Sequence, residues 1–127
     1  MKVVDTSVII AILNQEKESE DFIHSLANAD SLLMSAGSYL ESAIVAFHQR
    51  GIGGLQKLDE LLNNFQIRIE AFDLEQAKQA IIAYQVYGAG QHAAKLNFGD
   101  CFSYALSKAS AANLLYKGNG FAQTDLG

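Results

Sequence analysis

The sequence predicts an α/β fold with a mainly parallel central sheet, and two observations carry that expectation. Four short β-branched or leucine-rich runs, Lys2 to Val4, Ser31 to Met34, Gln66 to Phe72 and Asn113 to Tyr116, are spaced along the whole chain. Between them lie amphipathic stretches whose apolar residues recur at helical spacing. Strands that alternate with helices imply a parallel sheet covered on both faces, with right-handed crossovers.

The first strand, Lys2 to Val4, ends in the polar turn Asp5-Thr6-Ser7, which places Asp5 at its carboxyl end. Val8 to Leu13 then has no polar face, the pattern of a helix buried all round or pressed against another subunit. Glu16 to Asp21 reads as a solvated acidic connection into a helix that turns Phe22, Ile23, Leu26 and Ala27 inward. Ser35 caps a helix from about Ala36 to Arg50, stopped by Gly51. Leu40, Ala43, Ile44 and Phe47 form its expected buried stripe, with Glu41 at the border. Leu55, Leu58, Leu61, Leu62 and Phe65 trace another helix beyond Gly53-Gly54. Ile67 and Ile69 alternate with Arg68 and Glu70, which suits an edge strand. Asp73 with Gln76 makes a capping box for a helix whose Ala77, Ala80, Ile81, Tyr84 and Tyr87 face inward. Gly88-Ala89-Gly90-Gln91-His92 is then a flexible lead into Asn97-Phe98-Gly99-Asp100, where a last helix starts with Phe102, Ala105, Leu106 and Ala109 as its packed face. Asn113 to Tyr116 is followed by the loop Lys117-Gly118-Asn119-Gly120.

Composition bounds the function. A chain of 127 residues, half of them hydrophobic, fits one domain over residues 1–127. Asp5 interrupts the apolar stretch Val3 to Leu13, no basic segment precedes it and no small-residue cleavage site follows, so it reads as core and not as a signal sequence. No apolar run approaches the roughly 20 residues that cross a bilayer. The single cysteine, Cys101, cannot form an internal disulfide, and a reducing cytoplasm is the expected location. A formal charge of −5 argues against holding nucleic acid by bulk electrostatics. Either the substrate is not nucleic acid, or bound cations and a local basic rim, with Lys95 and Lys117 as candidates, supply the attraction.

Sites in parallel sheets gather beyond the carboxyl ends of the strands. Asp5 and the Lys117 to Gly120 loop stand at such ends, and Glu41 and Asp100 are held by helices that can reach the same edge. Asp100 also falls in the first turn of its helix, where free N–H groups and the dipole favour an anion. Hard carboxylate oxygens drawn from distant segments suit Mg²⁺ or Mn²⁺, and such a site can activate water against a phosphodiester. Zinc is disfavoured, because Cys101 has no sulfur partner and His24, His48 and His92 show no ligand spacing.

Four segments in order, Val4-Asp5-Thr6-Ser7, Ser35-Ala36-Gly37-Ser38-Tyr39-Leu40-Glu41, Leu96-Asn97-Phe98-Gly99-Asp100-Cys101 and Leu114 to Asn119 with Thr124-Asp125-Leu126, resemble the PIN-domain ribonucleases. Among these the chain is most similar to the VapC-type toxins of bacterial toxin–antitoxin pairs, over essentially its full length. The resemblance implies an α/β/α sandwich and Mg²⁺- or Mn²⁺-dependent endoribonuclease activity on RNA. It also implies a homodimer and inhibition by a small cognate antitoxin. Asp5, Glu41 and Asp100 match the family's first three acidic positions, with Asp5 and Asp100 the foremost metal ligands.

One position departs from the family pattern. Gly120 stands immediately before Phe121, where family members usually carry a fourth acid, so a reduced activity is expected. Asn119 offers only a neutral amide oxygen, and Asp125 lies near the place without occupying it. Thr6 is a further candidate, its hydroxyl suited to hydrogen-bonding a carboxylate or an ordered water. Cys101 reads as a packed residue, because no histidine stands near it in a nucleophile pattern. The tyrosines at 39, 84, 87 and 104 read as core or interface residues and not as a base-stacking platform. Gly120 also motivates an alternative, a catalytically silent domain that binds an antitoxin or acts as a corepressor. A phospho-acceptor receiver domain is weaker still, since paired acids are missing after the first strand.

Overall fold

The structure, a computed structural model, describes residues 1–90 and 92–126. Strands β1 (Lys2–Val4), β2 (Leu32–Ser35), β3 (Ile67–Glu70) and β4 (Asn113–Leu115) pair in parallel in the order β3-β2-β1-β4. Five helices cover the sheet: α1 (Thr6–Leu13), α2 (Ser19–Asn28), α3 (Ala36–Asn64), α4 (Leu74–Tyr87) and α5 (Phe98–Ser110). A 3-10 turn at Phe121–Gln123 follows β4. No helix among the described residues is long and apolar enough to cross a membrane.

Period-two alternation divides the core into two layers. Val4, Leu32 and Met34 pack with Val8 and Ile9 of α1, Leu26 of α2, and Leu58 and Leu62 of α3. On the opposite face Val3 and Leu33 pack with Leu106 of α5. The result is the expected three-layer α/β/α arrangement with β1 at its centre. The next strand in sequence, β2, lies on one side of β1 and the last, β4, on the other, so the carboxyl end of β1 is the point where strand order reverses. Asp5 sits there.

The helix ends agree with their sequence signals. Ser35 Oγ accepts from the Gly37 N–H, and Asp73 Oδ1 accepts from the Gln76 N–H. The second half of the Asp73 box is not made, because the Gln76 amide donates to the Ala71 carbonyl. Gly51 breaks α3 with φ 62° and ψ −148°, a left-handed backbone that glycine adopts without a Cβ penalty. The apolar α1 is buried within the chain, packed between α2 and α3. Backbone hydrogen bonds tie parts of the lead before α5 to its surroundings. Ala89 donates to the Leu96 carbonyl at 2.9 Å, Leu96 to Tyr87 at 2.8 Å and His92 to Gly88 at 3.2 Å, with Gln91 outside the described residues.

The buried faces of three helices differ from the sequence expectation, for one reason. On α3 the inward residues are Ser38, Ser42 and Ala46, while Leu40 and Ile44 are 60% and 58% exposed. On α4 Gln76, Ala80 and Ala83 face inward and Ile81 and Tyr84 outward. On α5 Ser103 and Ser107 are buried and Ala109 is exposed. Small residues at i, i+4 and i+8 let backbones approach closely, and that close approach outweighs the area gained by burying larger side chains. A Cβ on Gly37 of α3 would lie 2.2 Å from the Phe102 ring of α5, and a Cβ on Gly54 2.3 Å from the Ala46 carbonyl. Ala46→Leu therefore overpacks this seam and destabilises the fold by about 1–3 kcal/mol in urea denaturation. An unchanged midpoint would contradict the packing described.

Candidate active site

Asp5 follows the last residue of β1 and caps α1, so the sheet and a helix N-terminus fix its position together. Its carboxylate is buried, and both oxygens are hydrogen-bonded. Oδ2 accepts from the Ser7 N–H at 3.1 Å and the Ser7 hydroxyl at 2.6 Å, and Oδ1 accepts from the Ser103 hydroxyl at 2.5 Å. Ser7 Oγ in turn accepts from the Lys117 N–H at 2.9 Å, which ties the loop after β4 to the same carboxylate.

Asp100 arrives from the other side on the first turn of α5. A capping box holds it. Asn97 Oδ1 accepts from the Asp100 N–H at 2.9 Å, and Asp100 Oδ2 accepts from the Asn97 N–H at 3.0 Å. Glu41, one turn into α3, lies against Gly99. A Cβ on Gly99 would fall 2.2 Å from Glu41 Oε2, so the absence of a side chain at 99 is what admits this carboxylate. The requirement at Gly99 here is space, not backbone conformation.

The three carboxylates are electrostatically coupled. The Asp100 carboxyl is pushed up to about 6, first by burial and then by the negative charges of Asp5 and Glu41, against the lowering effect of the Asn97 N–H. Among the described residues no three His, Cys, Asp or Glu side chains close around a single point as a finished cage. The donor set is nevertheless all carboxylate oxygen, the chemistry of a site for a hard divalent cation. Cys101 adds no sulfur. Its thiol points to the Asn97 carbonyl at 3.4 Å, and burial followed by the Asp100 charge raises its pKa.

The remaining sequence candidates have the following surroundings. The Thr6 hydroxyl donates to the Ser38 carbonyl at 3.1 Å and not to a carboxylate. Asn119 is exposed on the loop after β4. Asp125 accepts from the Tyr104 hydroxyl at 2.6 Å and from Lys108 Nζ at 2.7 Å. Burial opposes its ionisation, but those two donors outweigh burial and hold it below the usual carboxylate range. It fastens the chain end to α5 and is not among the charges that raise Asp100. Lys117 is no free rim cation, because its Nζ pairs with Glu16 and, at 3.4 Å, with Glu18. The acidic connection read as solvated is thus a clamp on the loop after β4. Sequence reasoning passed over Ser103, Ser38, Asn97 and Gly99. A polar residue inside the apolar face of α5 was the available signal for Ser103.

Two apolar grooves flank the cluster. One of about 310 Å³ runs between Leu40 and Ile44 of α3 and Phe98 and Phe102 of α5, with Glu41 in its wall. A larger one of about 550 Å³ lies between α4 and α5, carries no carboxylate in its lining and is not the reaction centre.

The family model for the PIN domain matches residues 2–126, and the chain belongs to that family. Its relatives within the family are VapC ribonucleases. It is 44% identical to Ribonuclease VapC of Mycolicibacterium smegmatis over 98% of this chain and 96% of that protein. It is 46% identical to Ribonuclease VapC28 of Mycobacterium tuberculosis over 96% of this chain and 92% of that protein. The fold matches VapC20 of Mycobacterium tuberculosis, a sarcin–ricin-loop-cleaving toxin, with a TM-score of 0.78 at 14% identity, covering 96% and 93% of the two chains. It also matches VapBC2 of Rickettsia felis, bound to a fragment of its promoter DNA, with a TM-score of 0.76 at 15% identity over 98% and 93%.

The raised Asp100 pKa sets a pH dependence of stability. Below the ordinary value of 3.8 the group is protonated in both the folded and unfolded states and contributes nothing. Between there and about 6 the unfolded chain ionises first, so a penalty on folding grows, and above about 6 it is complete. Asp100→Asn removes that penalty while its amide oxygen still accepts from Asn97. In metal-free buffer its melting temperature exceeds that of the wild type by a few degrees at pH 7.5, and the two converge below about pH 4. Equal melting temperatures at pH 7.5 would mean that ionising Asp100 carries no penalty in the folded state.

Proposed function

We propose that this chain is the endoribonuclease toxin of a type II toxin–antitoxin pair, and that Asp5, Glu41 and Asp100 hold Mg²⁺ or Mn²⁺ for hydrolysis of RNA phosphodiester bonds. The observation that carries this reading is the family match over residues 2–126 together with the placement of its acids, Asp5 at the end of the central strand and Glu41 against Gly99 beside Asp100 at the start of α5. Relatives named as VapC ribonucleases at 44–46% identity over nearly the whole chain support the activity. When bound, a divalent cation supplies neutralisation of phosphate charge and a lowered pKa for water. The chain supplies the rest. Asp5 is held in place by its hydroxyl and N–H donors, and Asp100 keeps Oδ2 on the Asn97 N–H. Gly99 and the Phe98–Phe102 edge contact (5.2 Å between ring centroids) leave room for Glu41 at the mouth of an apolar groove.

Gly120 offers no fourth carboxylate, and we propose that turnover is lowered for that reason. The position accepts one. Its backbone is right-handed, φ −57° and ψ −54°, and an added Cβ meets only the Ala94 carbonyl at 3.2 Å, a contact that requires this carbonyl to move by a few tenths of an ångström. With purified protein, structured RNA and Mg²⁺ or Mn²⁺, Gly120→Asp raises turnover about tenfold, worth 1.4 kcal/mol of transition-state stabilisation. Asp5→Asn lowers it at least about a hundredfold. No loss in Asp5→Asn would remove the catalytic assignment. Copurification with a small basic partner and no Mn²⁺ uptake by calorimetry would favour the alternative of a silent antitoxin-binding domain, which Gly120 motivates, whereas Mn²⁺ binding lost in Asp100→Asn would count against it.

The proposed partners are a cognate antitoxin and a second copy of the chain. The support is apolar surface left unburied on one side: Leu40, Ile44 and Phe47 on α3, and Phe98, 78% exposed, at the start of α5. Ile44→Ser combined with Phe47→Ser converts a dimer to a monomer in sedimentation without lowering the helical circular dichroism. A wild-type chain that sediments as a monomer at tens of micromolar would rule the homodimer out.

A further inference from the structure

Beneath the acidic cluster lies a line of hydroxyls that a packed seam between α3 and α5 does not need. Ser38 and Ser103 are both 0% exposed, one on each helix, in positions where an apolar side chain would bury more area without the cost of a hidden polar group. A helical serine ordinarily satisfies itself by bonding back to the carbonyl four residues earlier. Ser103 instead reaches Asp5, 98 positions away in sequence, at 2.5 Å.

The direction of the protons along this line follows from counting them. A serine hydroxyl has one proton, and Ser103 gives its own to Asp5 Oδ1. Across the 3.1 Å contact between the two serines the donor is therefore Ser38. The chain runs Ser38 O–H to Ser103 O–H to Asp5 Oδ1, and each donor polarises the next. A matching line runs from the Lys117 N–H through the Ser7 hydroxyl to Oδ2.

These bonds also limit what Asp5 has left. An ionised carboxylate has about four acceptor positions. Oδ2 receives two donors, from Ser7 N–H and Ser7 O–H, and Oδ1 receives one, from Ser103. A single lone pair remains, on Oδ1.

We infer that Ser103, backed by Ser38, is a positioning residue for the hydrolytic site: it holds Asp5 so that one oxygen presents one lone pair to the cation. The inference rests on the reading of Asp5, Glu41 and Asp100 as the cation site. Ser103 touches neither substrate nor cation and acts through the orientation of Asp5. Groups that orient metal ligands typically change affinity by about 10–100-fold when removed.

The test is Mn²⁺ titration by calorimetry on four folded variants, with RNA hydrolysis measured alongside. Ser103→Ala weakens Mn²⁺ binding about tenfold or more and lowers kcat with KM for RNA unchanged. Ser103→Cys keeps the shape but has only a weak donor, so it shows the same loss and decides the matter if the alanine variant does not fold. Ser38→Ala, which removes only the rear donor, loses less than Ser103→Ala. Wild-type Mn²⁺ affinity in Ser103→Cys, together with its loss in Asp5→Asn, would overturn the positioning role and leave the cation site standing. Unchanged Mn²⁺ affinity in Asp5→Asn would instead overturn the cation site and this inference with it.

Discussion

A single buried carboxylate joins the parts of this fold. Asp5 ends the central strand, caps the helix that follows, accepts a hydroxyl from α5 and is linked through Ser7 to the loop after β4. Burying a carboxyl group is costly unless its oxygens are hydrogen-bonded, so each of these segments is constrained by the same requirement. The position of β1 makes this possible. Its carboxyl end is where the neighbouring strands diverge, and only there do α1, α5 and the last loop come within reach of one side chain.

Around that carboxylate the structure opposes its own stability. Asp100 is placed where burial and two negative charges resist its ionisation, and the capping box with Asn97 only partly offsets them. A helix start stabilises an acid at this position. The raised pKa shows that the neighbouring acids and the loss of solvent outweigh the helix. Perturbed groups of this kind concentrate at functional sites, and here the perturbing charges are themselves the proposed ligands. Gly99 belongs to the same arrangement, since a Cβ there would meet the Glu41 carboxylate, which would have to shift to make room.

The strands and helix ends were legible in the sequence because they depend on local chemistry. Lys2 to Val4, the Ser35 cap, the Gly51 break and the Asp73 cap all follow from residues within a few positions of one another. The buried faces of α3 and α4 were not legible, because periodicity identifies a large apolar stripe without saying what it faces. Ser38, Ser42 and Ala46 face inward, and the apolar stripe beside them, Leu40, Ile44 and Phe47, is left exposed. The same limit hid the site's supporting residues. Asp5, Glu41 and Asp100 were recognised as motif positions, whereas Ser103, Gly99 and the Lys117 pairing with Glu16 depend on contacts between segments 50 to 100 residues apart. Asp125 was legible only as a position near Phe121, whereas its partners Tyr104 and Lys108 lie 21 and 17 residues away in sequence.

The account depends most directly on where a divalent cation binds. Crystals of the wild-type protein soaked in Mn²⁺ and measured near the manganese absorption edge would locate it. The account requires an anomalous peak in contact with oxygens of Asp5 and Asp100, with Glu41 directly bound or one water away. A peak elsewhere on the molecule, with these three side chains unchanged and unliganded, would contradict it.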